Sequence, residues 1–426
     1  MAWGPLVMRF TITAVSRLVC VGMLSLVIVR AAPVGAREGN KDYLEPPLHV
    51  KLGPEQLVVP GGGWPFLFQA REGTTMVMGH HHWEPRKPEP VVFLARSFDG
   101  RKTWEPWTAP AEPVTEGTAV QLPDGRIFIF DVYAYHRGNK VFAGKRWVSK
   151  DGGRTLTGPE PTRVTLTHAK VDGMVDDRGE PISRLYIRRS VQRLPDGTLL
   201  ATGYGRFEED NVPVDYLPAM KQSRCYLLRS GDEGLTWDYL ATIATPPMNQ
   251  EGFGEPVLLR LTHGAHAGRL ICQMRTGRET AIAQSESDDD GKTWNTPHAL
   301  SWAFGRFGRT RDIVGVDPDL TEMSDGTLVM GYGHKPDFRD NGNFVAFSLD
   351  QGVTWMEETR VSTEMTRAYV GVRETSPGHL YVVYTKTDEP DRTNYGRAVF
   401  NTYGRELIVT RKSAASAADQ ASTAAK

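Results

Sequence analysis

Seven positions far apart in the sequence carry side chains that could do chemistry together. Trp64, Glu116, Arg188 or Arg189, Glu251 or Glu255, Asp317 and Tyr369 stand at or near the starts of apolar runs, and Arg275 closes another such run. An arginine fork binds a carboxylate through two parallel hydrogen bonds. A floor of guanidinium, carboxylate and phenol therefore suits an anionic sugar. Two further clusters suggest metal chemistry at first sight. His80, His81 and His82 are consecutive, but side chains alternate along a strand, so two could ligate a metal only with help from elsewhere. The tract "SESDDDGKTW" holds Asp288, Asp289 and Asp290, yet its formula recurs along the chain, which points to structure.

The recurring unit is Ser-x-Asp-x-Gly-x-Thr-Trp. It begins at Ser97, Ser149, Ser230, Ser287 and Ser348; the first copy has its Gly one place early, and the second has Leu156 for Trp. A recurrence every 50 to 80 residues or so signals a repeat architecture. Within each octet Ser and Asp accept hydrogen bonds from turn amides, Gly takes a positive φ and Trp covers apolar surface beside the hairpin. Asp99, Asp151, Asp232, Asp289 and Asp350 are thus read as turn residues, and Asp288 and Asp290 as solvated.

A second family of hairpins runs out of phase with the octets. "AVQLPDGRIFIFD", "SVQRLPDGTLLATGY", "DLTEMSDGTLVMGYG" and "GVRETSPGHLYVVYT" are strand-turn-strand units bent at Gly, and two looser versions occur around 66–79 and 256–275. Inner hairpin plus octet hairpin makes one four-stranded unit. The sequence therefore predicts an all-β protein, a six-bladed β-propeller with four-stranded antiparallel blades. The last unit lacks an octet and is expected to close the ring with a strand around His49 to Val59. Strand parity puts the octets and Gly bends on one face. The other face carries the first-strand starts and the longer loops 79–90, 131–140, 203–224, 331–343 and 384–397, where functional residues concentrate. By the same alternation only one of Arg188 and Arg189 should reach the centre.

The bulk properties agree. The 426 residues carry a formal net charge of -1, which gives no electrostatic case for nucleic acid, and ten Trp with 43 Gly fit a turn-rich β protein. Arg9 and Arg17 precede an apolar run from Leu18 to Val29 and then "RAAPVGAR", the pattern of a secretory leader cleaved after Ala36 or Ala32. The expected organisation is a signal peptide over 1–36, a linker and closing strand over 37–57, the propeller over 58–410 and a disordered tail over 411–426. A secreted or periplasmic monomer follows, with no membrane contact after cleavage. Cys225 and Cys272 are read as buried thiols, although an oxidising compartment would permit a bridge.

The octets, the inner hairpins and the axial set together resemble the sialidase (neuraminidase) superfamily, whose Asp-box or BNR repeat has this formula. The resemblance spans roughly 58 to 410. It implies a six-bladed propeller enzyme with a Tyr nucleophile and Glu partner, an Asp acid/base and three Arg on the substrate carboxylate, with no cofactor. "EPVLLRLTHGAHAGRLICQMR" followed by an octet matches the segment holding the Glu and second Arg, and so implies Glu255 and Arg275. Arg339, nine residues before its octet, matches the third Arg, and "RAYVGVRETSPGHLYVVY" matches the nucleophile segment at Tyr369. A phenol of reference pKa near 10 needs a carboxylate to take its proton. Being neutral, it can also approach an anionic sugar without repulsion.

Two family features are missing. The first Arg belongs to an Arg-Ile-Pro motif, and here "GGGWPF" has Gly63 at that place. The acid/base Asp belongs to the next loop, which reads "HHHWEPRKPEP" and offers Glu84 as its nearest carboxylate, with His81 or His82 as other proton carriers. Arg188, Arg309 or Arg311 could replace the lost Arg. The expected catalytic set is thus Tyr369, Glu255 and Glu84, and the expected substrate contacts are Arg275, Arg339, Arg188, Trp64 and Asp317. The expected partner is a glycan or glycoconjugate, hydrolysed at a terminal acidic sugar such as sialic acid. Two other functions fit the same residues: a propeller lyase acting on uronates, and a glycan-binding propeller without catalysis.

Overall fold

The octets fold as local, self-satisfied bends. In the fourth copy Ser287 Oγ donates to Asp289 Oδ1 at 2.8 Å and accepts from Gly291 N at 2.9 Å. Asp289 accepts from Thr293 N at 2.9 Å and Thr293 Oγ1 at 2.7 Å, and Trp294 Nε1 closes on Gly291 O at 3.0 Å. The third copy repeats the pattern, and Gly234 there has φ +88° with no room for a Cβ against the Phe130 ring. Trp237 is 1% exposed and meets Phe130 of the preceding repeat unit edge-on at 5.5 Å. The octet thus ends in an aromatic that fastens one repeat unit to the next. Asp288 is exposed, as expected, and also holds Arg269 Nε and Nη2 at 2.8 and 2.9 Å, because the neighbouring strand places that guanidinium beside it.

The computed structural model describes residues 47–81, 92–107, 117–176, 179, 181–278, 280–303, 312–334, 341–362, 368–387 and 400–411. All of these fall in one unit, Pro46–Lys426, and every regular element among them is a β-strand. The expected leader and tail lie outside the described residues.

Three sheets have four antiparallel strands in sequence order: Gly62–Gln69 to Glu105–Pro106, Gly254–Arg260 to His298–Ala299, and Val316–Glu322 to Met356–Ser362. The last sheet holds Val370–Ser376, His379–Lys386 and Asn401–Arg411, and Asn401–Arg411 pairs antiparallel with Leu48–Leu52 and Gln56–Val59 from the start of the domain. The strands between 118 and 244 join into one nine-stranded sheet. Two features cause this. Tyr133–His136, inside a segment read as a loop, bridges Val141–Ser149 and Arg184–Arg193; Thr157–Thr165 pairs in parallel with Thr236–Ala244. A further pairing of Thr157–Thr165 with Val141–Ser149 closes seven strands into a circuit.

The first strands of these successive units lie side by side. Gly62–Gln69 neighbours Thr118–Gln121, then come Arg184–Arg193, Gly254–Arg260, Val316–Glu322 and Val370–Ser376, which returns to Gly62–Gln69. Apolar side chains fill the seams between sheets, as where Phe66, Met76, Met78 and Leu94 pack on Ile127, Ile129 and Trp147. On one rim the Gly bends meet the octets of the next unit: Arg126 forks onto Glu233 at 2.6 and 2.8 Å, and Gln351 Nε2 donates to His263 O at 2.6 Å.

Toward the opposite ends the first strands share an irregularity. Register shifts fall between Gly63 and Phe66, Arg188 and Gln192, Gly254 and Val257, and Val316 and Asp319. Each contains a non-glycine residue at positive φ: Trp64 (52°), Ser190 (64°), Glu255 (45°) and Asp317 (48°). Such a conformation costs about 1–3 kcal/mol and a bulge re-aims side chains, so four kinked strands together are a device for pointing side chains at one place.

Candidate active site

The kinks explain which side chains meet. Glu255, raised off its strand by the bulge, accepts Tyr369 Oη at 2.8 Å and Arg275 Nη1 at 3.1 Å on Oε1, and the Asp317 amide at 3.1 Å on Oε2. Three units contribute to this one carboxylate. Gly333 lets the approach happen: no Cβ would fit there against the Ala368 backbone, one residue before Tyr369. The Arg275 fork is shared, its Nη2 reaching Glu251 Oε2 at 2.8 Å while its Nε donates to Gly277 O at 3.1 Å.

Asp317 is fully buried between two guanidinium groups, Arg188 on Oδ1 and Arg189 on Oδ2. The expectation that strand alternation admits only one of these arginines is therefore wrong. The bulge at Ser190 breaks the period of two and turns both inward. Arg189 also donates to Val370 O at 2.6 Å and Pro65 O at 3.4 Å, so with Asp317 it ties three other units to its own. Asp319 holds Arg373 at 2.7 Å and lies 3.7 Å from Arg189. Asp319, two residues beyond Asp317, went unmarked in the sequence.

Trp64 lines the same place. Its ring meets Tyr369 edge-on at 6.0 Å and His80 at 5.8 Å, and Arg188 lies 6.0 Å from the Tyr369 ring centre. Tyr133, Tyr186 and Tyr204 continue the aromatic lining, the last two stacked at 4.8 Å. A hollow of about 10 Å³ between Trp64, Thr118, Arg188 and Arg189 is about the size of one water.

Tyr369 as a residue is half-buried, but its hydroxyl is desolvated. Burial first, then the charges of Glu255 and Asp317, push its pKa well above the ordinary phenol value, and Arg188 and Arg275 offset this only in part. The group is a neutral phenol that already donates to a carboxylate. Such a pair can attack an electrophilic carbon with the proton passing to the carboxylate.

Of the expected site residues, Tyr369, Glu255, Arg275, Arg188, Trp64 and Asp317 converge. Glu84 and Arg339 lie outside the described residues, as do Glu116, His82, Arg309 and Arg311. The sequence left Glu251 and Glu255 as alternatives; both reach Arg275. An inserted hairpin, Pro213–Val214 with Leu217–Lys221, brings Tyr216 Oη to Glu251 at 2.7 Å, with the Arg278 guanidinium 4.3 Å over its ring. Nothing in the local sequence signals that reach. Among the described residues no group of three or more His, Cys, Asp or Glu could hold a metal, and Cys225 and Cys272 are buried free thiols.

Comparison with known proteins adds the following. A family model described as a BNR repeat-like domain matches residues 86–308. A sialidase of Bacteroides fragilis is 28% identical over 183 residues, 36% of this chain and 32% of that protein. A sialidase of Micromonospora viridifaciens is 27% identical over 273 residues, 60% of this chain and 37% of that protein. The aligned part thus spans about a third of the length of these curated relatives. Among solved structures, a protein of unknown function from Dyadobacter fermentans superposes with TM-score 0.60 at 18% identity, over 85% of this chain and 99% of that one. A Hadza microbial sialidase gives 0.56 at 15%, over 82% and 66%. An α-L-arabinofuranosidase of Fusarium graminearum, in complex with an iminosugar inhibitor, gives 0.56 at 14%, over 84% and 98%.

Proposed function

The chain belongs to the BNR repeat-like domain family, and on that premise we propose that it is a sialidase-like glycoside hydrolase, exo-acting on a terminal sugar, built as a six-bladed propeller of four-stranded blades. The observation that carries this reading is the 2.8 Å hydrogen bond from Tyr369 Oη to Glu255 Oε1 in a desolvated setting. Sialidases among the relatives, and both a sialidase and an arabinofuranosidase among the structural neighbours, support glycoside hydrolysis.

In the proposed reaction Tyr369 Oη bonds to the anomeric carbon while the bond to the leaving oxygen breaks. The phenolic proton passes to Glu255, and the leaving oxygen takes a proton from an acid, the role assigned to Glu84. Water then attacks the same carbon, returns the phenol and reprotonates the acid, so the sum is hydrolysis. Arg275 orients Glu255, Trp64 packs on Tyr369, and the Arg188–Asp317 pair holds the strand start that donates to Glu255. On this reading Arg275, Arg188 and Arg339 receive the carboxylate of an acidic sugar. With a leader over 1–36, the enzyme acts as a monomer outside the cytoplasm or in the periplasm, on a glycan or glycoconjugate.

One observation favours a second substrate. Arg275, Arg188 and Arg189 are already forked onto Glu251, Glu255 and Asp317, and a substrate carboxylate would have to compete with those partners. A sugar without a carboxylate, such as an arabinofuranoside, needs no such exchange. Aryl sialoside and aryl arabinofuranoside, assayed side by side for phenol release, decide between the two. Tyr369→Phe should lower kcat on the active substrate by about a thousandfold or more while the melting temperature stays within a few degrees. Turnover near the wild-type rate in that variant would remove Tyr369 from the chemistry, and wild-type protein releasing phenol from neither would remove the hydrolase reading for both.

A further inference from the structure

A second hollow, of about 290 Å³, lies off the axis, near the lower limit of small-molecule sites, which run from about 300 to 1,000 Å³. Its apolar surface is aromatic: Trp302, Tyr332 and Phe344, the last two stacked at 5.6 Å. Its polar edge carries Asp312, Glu358 and Arg360, all exposed. Two of these groups are held in place. Glu358 accepts the Tyr332 hydroxyl, the Arg360 guanidinium lies 5.0 Å over the Phe344 ring, and Arg360 Nη2 donates to Asn341 O at 3.2 Å. His334 Nε2 faces the Val314 carbonyl at 2.9 Å, and since a carbonyl only accepts, that nitrogen carries the proton.

Aromatic faces beside a fixed carboxylate suit a ring with C–H on its faces and hydroxyls on its edge. The charge of the lining selects further. Among the described residues two carboxylates against one guanidinium leave a negative excess, which disfavours an anionic unit and accepts a neutral one. The axial cluster differs in that its arginines and carboxylates are matched. The two places are close along the chain: Val314 borders the hollow and Asp317 is three residues on, so the separation is on the order of 10 Å for extended backbone, a span that a short oligosaccharide bridges.

We propose that this hollow is a second sugar-binding site, which takes an uncharged monosaccharide unit of the same glycan whose terminal residue enters the axial site. The link to a shared glycan rests on the glycosidase reading; the binding itself does not. The probes are methyl β-galactopyranoside, methyl α-mannopyranoside, methyl α-arabinofuranoside and, as the charged control, methyl glucuronide. Binding is followed by saturation-transfer NMR and calorimetry. At least one neutral glycoside should bind wild type and Tyr369→Phe alike, the glucuronide more weakly, and Glu358→Gln and Arg360→Met should each weaken the neutral ligand about tenfold. On an oligosaccharide substrate the same two variants should raise KM with kcat unchanged, and leave aryl monoglycoside hydrolysis as in wild type. No binding of any neutral glycoside, or binding indifferent to both substitutions, overturns the proposal. If the wild type hydrolyses nothing yet binds a neutral glycoside through Glu358, the second site stands and the glycosidase reading falls.

Discussion

Asp232 and Asp317 are the same residue type put to opposite uses. On the octet rim Asp232 is satisfied by Ser230 and Thr236, all within one eight-residue bend. At the axial end Asp317 is satisfied by Arg188 and Arg189, nearly 130 positions away, and its own amide serves Glu255. The rim acid closes a loop that would fold much the same in any blade. The axial acid is held by guanidinium groups of a distant unit, so its position depends on the docking of that unit. The contrast shows where structure ends and chemistry can begin: groups that fold the chain make local bonds, whereas groups gathered for a ligand depend on the whole ring.

Removing each acid separates these roles. Asp317→Ala removes the buried carboxylate that two guanidinium groups share, and the loss should be about 3–5 kcal/mol in chemical denaturation. Asp232→Ala, on a partly exposed bend, should cost about 1–2 kcal/mol through its lost turn bonds and leave activity unchanged. Equal costs for the two would erase the distinction. The smallest effect is a pH dependence. Hydrogen bonds from the octet Thr residues hold Asp99 and Asp289 down to about 2. A depressed carboxylate stabilises the fold above its unfolded value near 3.8 and loses that contribution as pH falls through the folded value. Denaturation midpoints should therefore be flat with respect to these two groups above about pH 5 and fall between roughly pH 4 and 2. In a double Asp99→Asn, Asp289→Asn protein that acid limb should be shallower; an unchanged limb would mean the octets do not set it.

Much of the axial set was legible because it sits at equivalent places in a repeating pattern. Once the hairpins were aligned, Trp64, Arg188, Glu255, Asp317 and Tyr369 fell at corresponding strand starts, and Arg275 at a strand end. The failures have a common cause in backbone irregularity. Alternation allowed one of Arg188 and Arg189, but a bulge at Ser190 admits both. Tyr133–His136 was taken for loop, and its pairing on both sides fuses sheets that the repeat alone would have kept apart.

By itself the sequence determined the strand class, the octet bends and the period that stacks the sheets, because those depend on contacts within a few residues and on alternation of side chains. Only the tertiary structure decided that Glu255 would carry Tyr369, Arg275 and the Asp317 amide at once, and that both arginines would close on one aspartate. Those meetings require positive-φ kinks and the docking of separate strands, and neither has a signature in composition or spacing.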